Sequence, residues 1–165
     1  MAWMAPAEFA QVVRLTPLVS IDLILRDSEG KVLVGLRTNE PAKGLWFVPG
    51  GRIEKDERLA DVTARFEGPR PVFVDDKARI LSVETGLSLP MTQSRLLGVY
   101  EHLYDANRFE APGYGTHYVV IARELRLDRR PDIKTDDQHS AMRWMRPDEI
   151  LAAPDVHENT KAYFR

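Results

Sequence analysis

Apolar residues near the start of the chain recur at helical spacing: Phe9, Val12 and Val13 of PAEFAQVVRL share one stripe, with Pro6 in a first-turn position. A short amphipathic helix over 6–15 is predicted. The pattern then changes to near-continuous, β-branched apolar runs, LVSIDLILRD (18–27) and KVLVGLRTN (31–39). Ser28-Glu29-Gly30 between them has hairpin chemistry. Three later runs also read as strands: RLLGVYEHLYD (95–105), THYVVIAREL (116–125) and AMRWM (141–145). The tail holds two short helix candidates, Pro147 to Ala153 with Pro-Asp-Glu in its first turn, and His157 to Phe164. No internal repeat or low-complexity tract interrupts the pattern, and strands with helices between and after them predict one α+β domain over 1–165.

Composition narrows the partners. The 165 residues carry 25 acidic and 23 basic side chains, a net charge of −2, which excludes a basic nucleic-acid module. With 44% apolar and 29% charged residues the chain can bury a core, so disorder is excluded. No apolar run approaches the ~18 residues that span a bilayer. MAWMAPAEFAQ has no basic region leading into an apolar stretch, so a soluble cytoplasmic protein without membrane or nucleic-acid partners is expected. The chain has no cysteine, so any metal must be held by oxygen or imidazole.

The segment LWFVPGGRIEKDE (45–57) carries the chemistry. A Gly pair lets backbone approach a ligand closely, although on its own it is ordinary loop punctuation. Its continuation changes that reading. GGRIEKDE, with five residues between Gly51 and Glu57, followed by RILSVETGL (79–87), resembles the Nudix box. That pattern is a loop, helix and loop that holds a divalent metal against a diphosphate. Ile80 and Val83 stand where the family usually carries metal-binding glutamates, and only Glu84 remains. The flanks TPLVSIDLIL, GLRTNEPAKGLWFVPGGRI, GTHYVV, DDQHSAMRWM and DVHENTKAYF are similar to the GDP-mannose mannosyl hydrolases, a divergent Nudix branch. The resemblance implies a Nudix fold: a mixed β-sheet sandwiched between helices (α/β/α).

It also implies an activity: water attacks the anomeric carbon of GDP-mannose or GDP-glucose, releasing GDP and the free sugar with inversion. One Mg²⁺ per subunit, replaceable by Mn²⁺, would lie on the Gly50 carbonyl, the Glu84 carboxylate and the Gln138 side-chain oxygen, a hard-oxygen set. His139 takes the place of the family's general base, an imidazole being suited to proton transfer near neutrality. Asp136 and Asp137 beside it would raise its pKa. Arg37 and Arg52 match positions that contact the diphosphate, a task that suits planar guanidinium groups. Tyr118 would donate to the leaving phosphate. Asp22 and His102 are assigned to the sugar pocket, Asp22 also among the catalytic residues. Phe9 corresponds to a nucleotide-binding position, across a homodimer. Read as residues alone, each has a plainer alternative: a solvated loop for His139, solvated strand ends for the arginines, outward-facing alternation for Asp22 and His102, a strand aromatic for Tyr118, and helix packing for Phe9. Trp46 and Trp144 read as core.

The box is interrupted. Arg79 follows Glu57 after 21 intervening residues where the family has seven, leaving a 14-residue insertion at about 66–78. Gly68, Pro69 and Pro71 cannot continue a helix, so Ala60 to Arg65 reads as a separate helical turn. A fresh helix capped by Asp75 or Asp76 then runs to Gly86. Two competing functions remain open: a Nudix pyrophosphatase cleaving the phosphoanhydride of a nucleotide sugar, and a non-catalytic nucleotide-sugar-binding protein. The missing carboxylates at 80 and 83 speak against the first, and the retained His139 against the second.

Overall fold

The computed structural model describes residues 4–56, 94–130 and 139–165. The first helix, α1 (Pro6–Leu15), forms where the apolar stripe predicts it. Pro6 presets the first turn, and the Glu8 carboxylate accepts from the Ala5 amide at 2.8 Å. Seven strands follow among the described residues: β1 (Leu18–Arg26), β2 (Val32–Arg37), β3 (Trp46–Phe47), β4 (Gly50–Arg52), β5 (Arg95–Tyr104), β6 (Thr116–Arg126) and β7 (His139–Met145). The chain ends in α2 (Pro147–Ala152), α3 (Glu158–Lys161) and a 3₁₀ turn (Ala162–Phe164). Gly50-Gly51, expected in a loop, lies in a short strand, and β7 begins two residues before the predicted 141.

The β1–β2 turn is held as the sequence predicts. Gly30 takes φ +79°, and Asp27 Oδ1 accepts from the amides of Glu29 and Lys31 at 2.9 and 2.8 Å. Pairing across it is slight, with Arg26 opposite Val32. The long partner of β1 is β6, parallel to it from Leu18↔Tyr118 to Arg26↔Arg126, and β5 runs antiparallel along the far edge of β6. On its other edge β1 takes β4, antiparallel, with Asp22 opposite Gly50. β2 is flanked by β3 and β7. A parallel strand in this position is covered on both faces, which is why β1 reads as an almost unbroken apolar run.

One face of the sheet packs Ile24, Val34 and Phe47 against Ile150, Val156 and Tyr163 of the C-terminal segment. That segment is tied to β3, since the Trp46 amide donates to the Asp155 carbonyl at 2.9 Å and the His157 amide to the Trp46 carbonyl at 3.1 Å. The other face buries Ile21, Leu23, Leu25, Leu33 and Leu125. Phe9 and Val13 of α1 pack with Leu18 at the end of the sheet. Trp46 is core, as predicted, and Trp144 packs half-buried against the second apolar face. The helix expected over 75–86, the turn over 60–65 and the insertion at 66–78 lie outside the described residues. No helix among the described residues is long and apolar enough to cross a membrane.

A buried charge cluster fastens β1 to β6 and makes one stability prediction. Glu124, 6% exposed, accepts from Arg26 Nε at 2.7 Å, with the more exposed Arg95 and Arg126 at 3.4 and 3.7 Å. Burial alone would raise its carboxyl, but the Arg26 hydrogen bond and the charges of the three arginines hold it below the ordinary 4.5. A carboxylate with a lowered folded pKa stabilises the fold fully above its unfolded value and loses that contribution as pH falls through the folded one. Glu124→Gln is therefore expected to lose about 1.5–3 kcal/mol at pH 7, the worth of a hydrogen bond to a charged group. The deficit should shrink below about pH 4.5. Urea unfolding at both pH values checks this, and an equal deficit at each would place the effect in packing.

Candidate active site

The cleft opens on the face of β1 that carries Ser20 and Asp22. β3 and β4 supply Phe47, Gly50, Gly51 and Arg52. The end of β2 supplies Arg37, β5 supplies His102 and Tyr104, and β6 supplies Tyr118.

Asp22 stands in a strand buried on both faces, where a carboxylate needs a partner. The partner is Tyr163, whose hydroxyl donates to Asp22 Oδ2 at 2.6 Å and lies 3.0 Å from His102 Nε2. Burial pushes the Asp22 carboxyl up to about 7, against the lowering pull of the Tyr163 hydrogen bond and the Arg37 charge. Burial also pushes His102 down to about 4, helped by the neighbouring His157, so the ring is neutral at physiological pH. Gly50 is what allows this packing. A Cβ there would lie 2.4 Å from Asp22 Oδ1 and 2.8 Å from the Ile21 carbonyl oxygen, so only glycine brings β4 this close.

The cationic part of the cleft is assembled by aromatic and carboxylate contacts. The Arg52 guanidinium lies 3.9 Å from the centroid of the Phe9 ring and donates to Glu54 at 2.6 Å. Its buried Nε finds no acceptor among the described residues. Phe9 is 8% exposed and meets Phe109 edge-on at 5.6 Å. Within this chain its ring packs with Val13 and Leu18 and lies under the Arg52 guanidinium. Arg37 donates to Asn39 at 2.8 Å, and its charge acts on Asp22, Tyr104 and Tyr118. Burial raises the hydroxyls of Tyr104 and Tyr118, which keeps both protonated and able to donate.

Six expected residues thus meet in one cleft: Asp22, Arg37, Gly50, Arg52, His102 and Tyr118. His139 does not line it. Instead of sitting on a solvated loop, it opens β7 opposite Arg37, is 2% exposed, and lays its ring with Met142 against Gly35. Glu84, Gln138, Asp136 and Asp137 lie outside the described residues. Tyr163 escaped sequence reading because a tyrosine in KAYF looks like any apolar residue of a tail helix. Among the described residues no three of His, Asp and Glu come together as a metal site, so a cation here would draw on Gly50 with oxygen donors from elsewhere in the chain and from the ligand. The Gly50 backbone, brought up to the cleft without a side chain, fits that role.

Known proteins share the sequence pattern and the fold. The NUDIX domain profile matches residues 16–66. The low-salt glycan biosynthesis protein Agl8 of Haloferax volcanii is 37% identical over 140 residues, spanning 85% of this chain and 78% of that protein. The m7GpppN-mRNA hydrolase NUDT17 of Homo sapiens is 27% identical over 152 residues, 87% of this chain but 42% of that protein. Among solved structures, a MutT protein from Methanosarcina mazei Go1 superposes with a TM-score of 0.63 at 19% identity, covering 91% of this chain and 92% of its own. The NUDIX domain of Shewanella oneidensis NrtR, complexed with ADP ribose, gives 0.59 at 20% identity, covering 97% and 96%. With the domain match, the relatives and the fold in agreement, the chain belongs to the NUDIX domain family and has the fold of the Nudix hydrolases.

Proposed function

We propose that the protein hydrolyses a nucleotide sugar, GDP-mannose or GDP-glucose, at the anomeric carbon, releasing GDP and the inverted free sugar. The observation that carries this reading is the division of the cleft into two kinds of wall: the guanidinium groups of Arg37 and Arg52, and the buried Asp22–Tyr163–His102 chain. Guanidinium groups suit a diphosphate, whereas a carboxyl group and a neutral imidazole offer no positive charge to a phosphate and suit the hydroxyls of a sugar. The glycan-biosynthesis name of the Haloferax relative is consistent with sugar chemistry.

In this reading Arg37 and Arg52 hold the diphosphate, and the protonated Tyr118 hydroxyl donates to the oxygen on which negative charge develops. Asp22 and His102 accept from sugar hydroxyls. By resemblance His139 is assigned the removal of a proton from the attacking water. It pairs with Arg37 across the β2–β7 ladder, but its ring does not line the cleft, so the assignment rests on the resemblance and not on the cleft geometry. One Mg²⁺, with Gly50, Glu84 and Gln138 as its protein ligands, would neutralise charge on the diphosphate when bound. A homodimer is part of the same proposal.

Incubation with GDP-mannose, Mg²⁺ and ¹⁸O-labelled water tests it. GDP with labelled mannose is expected. GMP with mannose 1-phosphate would instead establish phosphoanhydride cleavage, and binding without turnover a non-catalytic module. Arg52→Lys should lower kcat/KM by about tenfold or more, since an ammonium cannot both stack on Phe9 and present a fork to paired phosphate oxygens. Steady-state kinetics in which Arg52→Lys behaves as wild type would remove Arg52 from diphosphate binding.

A further inference from the structure

Tyr163 has one hydroxyl proton and two partners, so the direction of each hydrogen bond decides what the cleft wall offers a ligand. The 2.6 Å contact to Asp22 Oδ2 has the length of a hydroxyl donating to a carboxylate, whereas the 3.0 Å contact to His102 Nε2 has that of an ordinary N–H donating to oxygen. With the proton committed to Asp22, the tyrosine oxygen can only accept from His102. A neutral imidazole carries one N–H, so placing it on Nε2 leaves Nδ1 as an acceptor. Tyr163 is itself fixed, 6% exposed, with Tyr100 edge-on at 4.8 Å.

We propose that Tyr163 is a positioning residue that locks His102 in the Nε2–H tautomer and holds Asp22 as an acceptor, so that this wall receives hydroxyl donors and rejects phosphate. The inference rests on the nucleotide-sugar reading for its ligand and deepens it. A lock of this kind admits the substrate in one sense only, diphosphate toward Arg37 and Arg52, polyol toward Asp22 and His102. It also explains why a buried tyrosine of the C-terminal segment reaches across 141 positions of sequence to a strand near the start of the chain.

Long-range ¹H–¹⁵N NMR on the full-length protein reads the tautomer directly, without turnover. The wild type is expected to show protonated Nε2 and unprotonated Nδ1 at His102, and Tyr163→Phe to lose that preference while remaining folded. In parallel, Tyr163→Phe should lower kcat/KM for GDP-mannose about tenfold or more, chiefly through KM. The penalty for GDP-deoxymannose analogues relative to GDP-mannose should shrink, and GTP should become a better competitor. An Nδ1–H tautomer in the wild type would overturn the lock, as would an unchanged tautomer and unchanged kcat/KM in the Tyr163→Phe variant. If the tautomer behaves as expected and GDP-mannose is not hydrolysed, the lock stands and the nucleotide-sugar reading falls alone.

Discussion

Gly50→Ala should lower turnover about 10²-fold or more and destabilise the fold by about 1–3 kcal/mol, the range for forcing extra atoms into a packed site. The added Cβ would stand 2.4 Å from Asp22 Oδ1 and 2.8 Å from the Ile21 carbonyl oxygen. The first contact can be relieved by turning the Asp22 side chain, but that breaks its hydrogen bond from Tyr163. The second is with backbone in the facing strand, where Asp22↔Gly50 and Ile21↔Gly51 fix the register, so β4 itself must move. Arg52 sits two residues along β4 and moves with it, which couples the sugar wall to the diphosphate wall. Thermal unfolding and steady-state kinetics on the same preparation check both effects. A stability loss with kcat/KM intact would show that the cleft tolerates the shift and that β4 is only structural.

Much of this site was legible in the chain because its residues break local patterns. Asp22 stands out as a carboxylate inside an apolar strand, and Gly50-Gly51 as a glycine pair where an apolar run meets charge. α1 and the long strands were equally readable, since each is a stripe or run that must be buried. What periodicity does not carry is who pairs with whom. The chain neighbours β1 and β2 meet at Arg26↔Val32, whereas β1 lies along β6, from Leu18↔Tyr118 onward. Strands of two or three residues, such as β3 and β4, are too short to show a period and owe their conformation to the partners they meet. Tyr163 is invisible for a related reason: its hydroxyl matters through a contact 141 positions distant. Phe9 reads as one residue of a helical stripe, and its place under the Arg52 guanidinium is likewise set by a contact distant in sequence.

His139→Gln is expected to lower kcat by about 10² or more with KM little changed, because glutamine keeps a polar side chain but cannot take a proton from water. The geometry sharpens the test. The ring is 2% exposed and its Cδ2 lies 2.4 Å from where a Cβ on Gly35 would stand, so His139 has both a chemical assignment and a packing one. The two separate by measurement. If His139 serves packing, the glutamine variant would lower the melting temperature and leave kcat of the folded enzyme near wild type; if it serves as the base, the variant would do the reverse. Gly35→Ala provides an independent approach to the same imidazole, since the new methyl must displace the ring while the histidine itself is retained. If His139 acts as the base, displacing it should itself slow turnover, and adding Gly35→Ala to His139→Gln should cost little further activity, because both changes remove one function. Full additivity of the two losses would mean that Gly35 and His139 act on separate steps, and the proton would then have to leave through another group of the cleft.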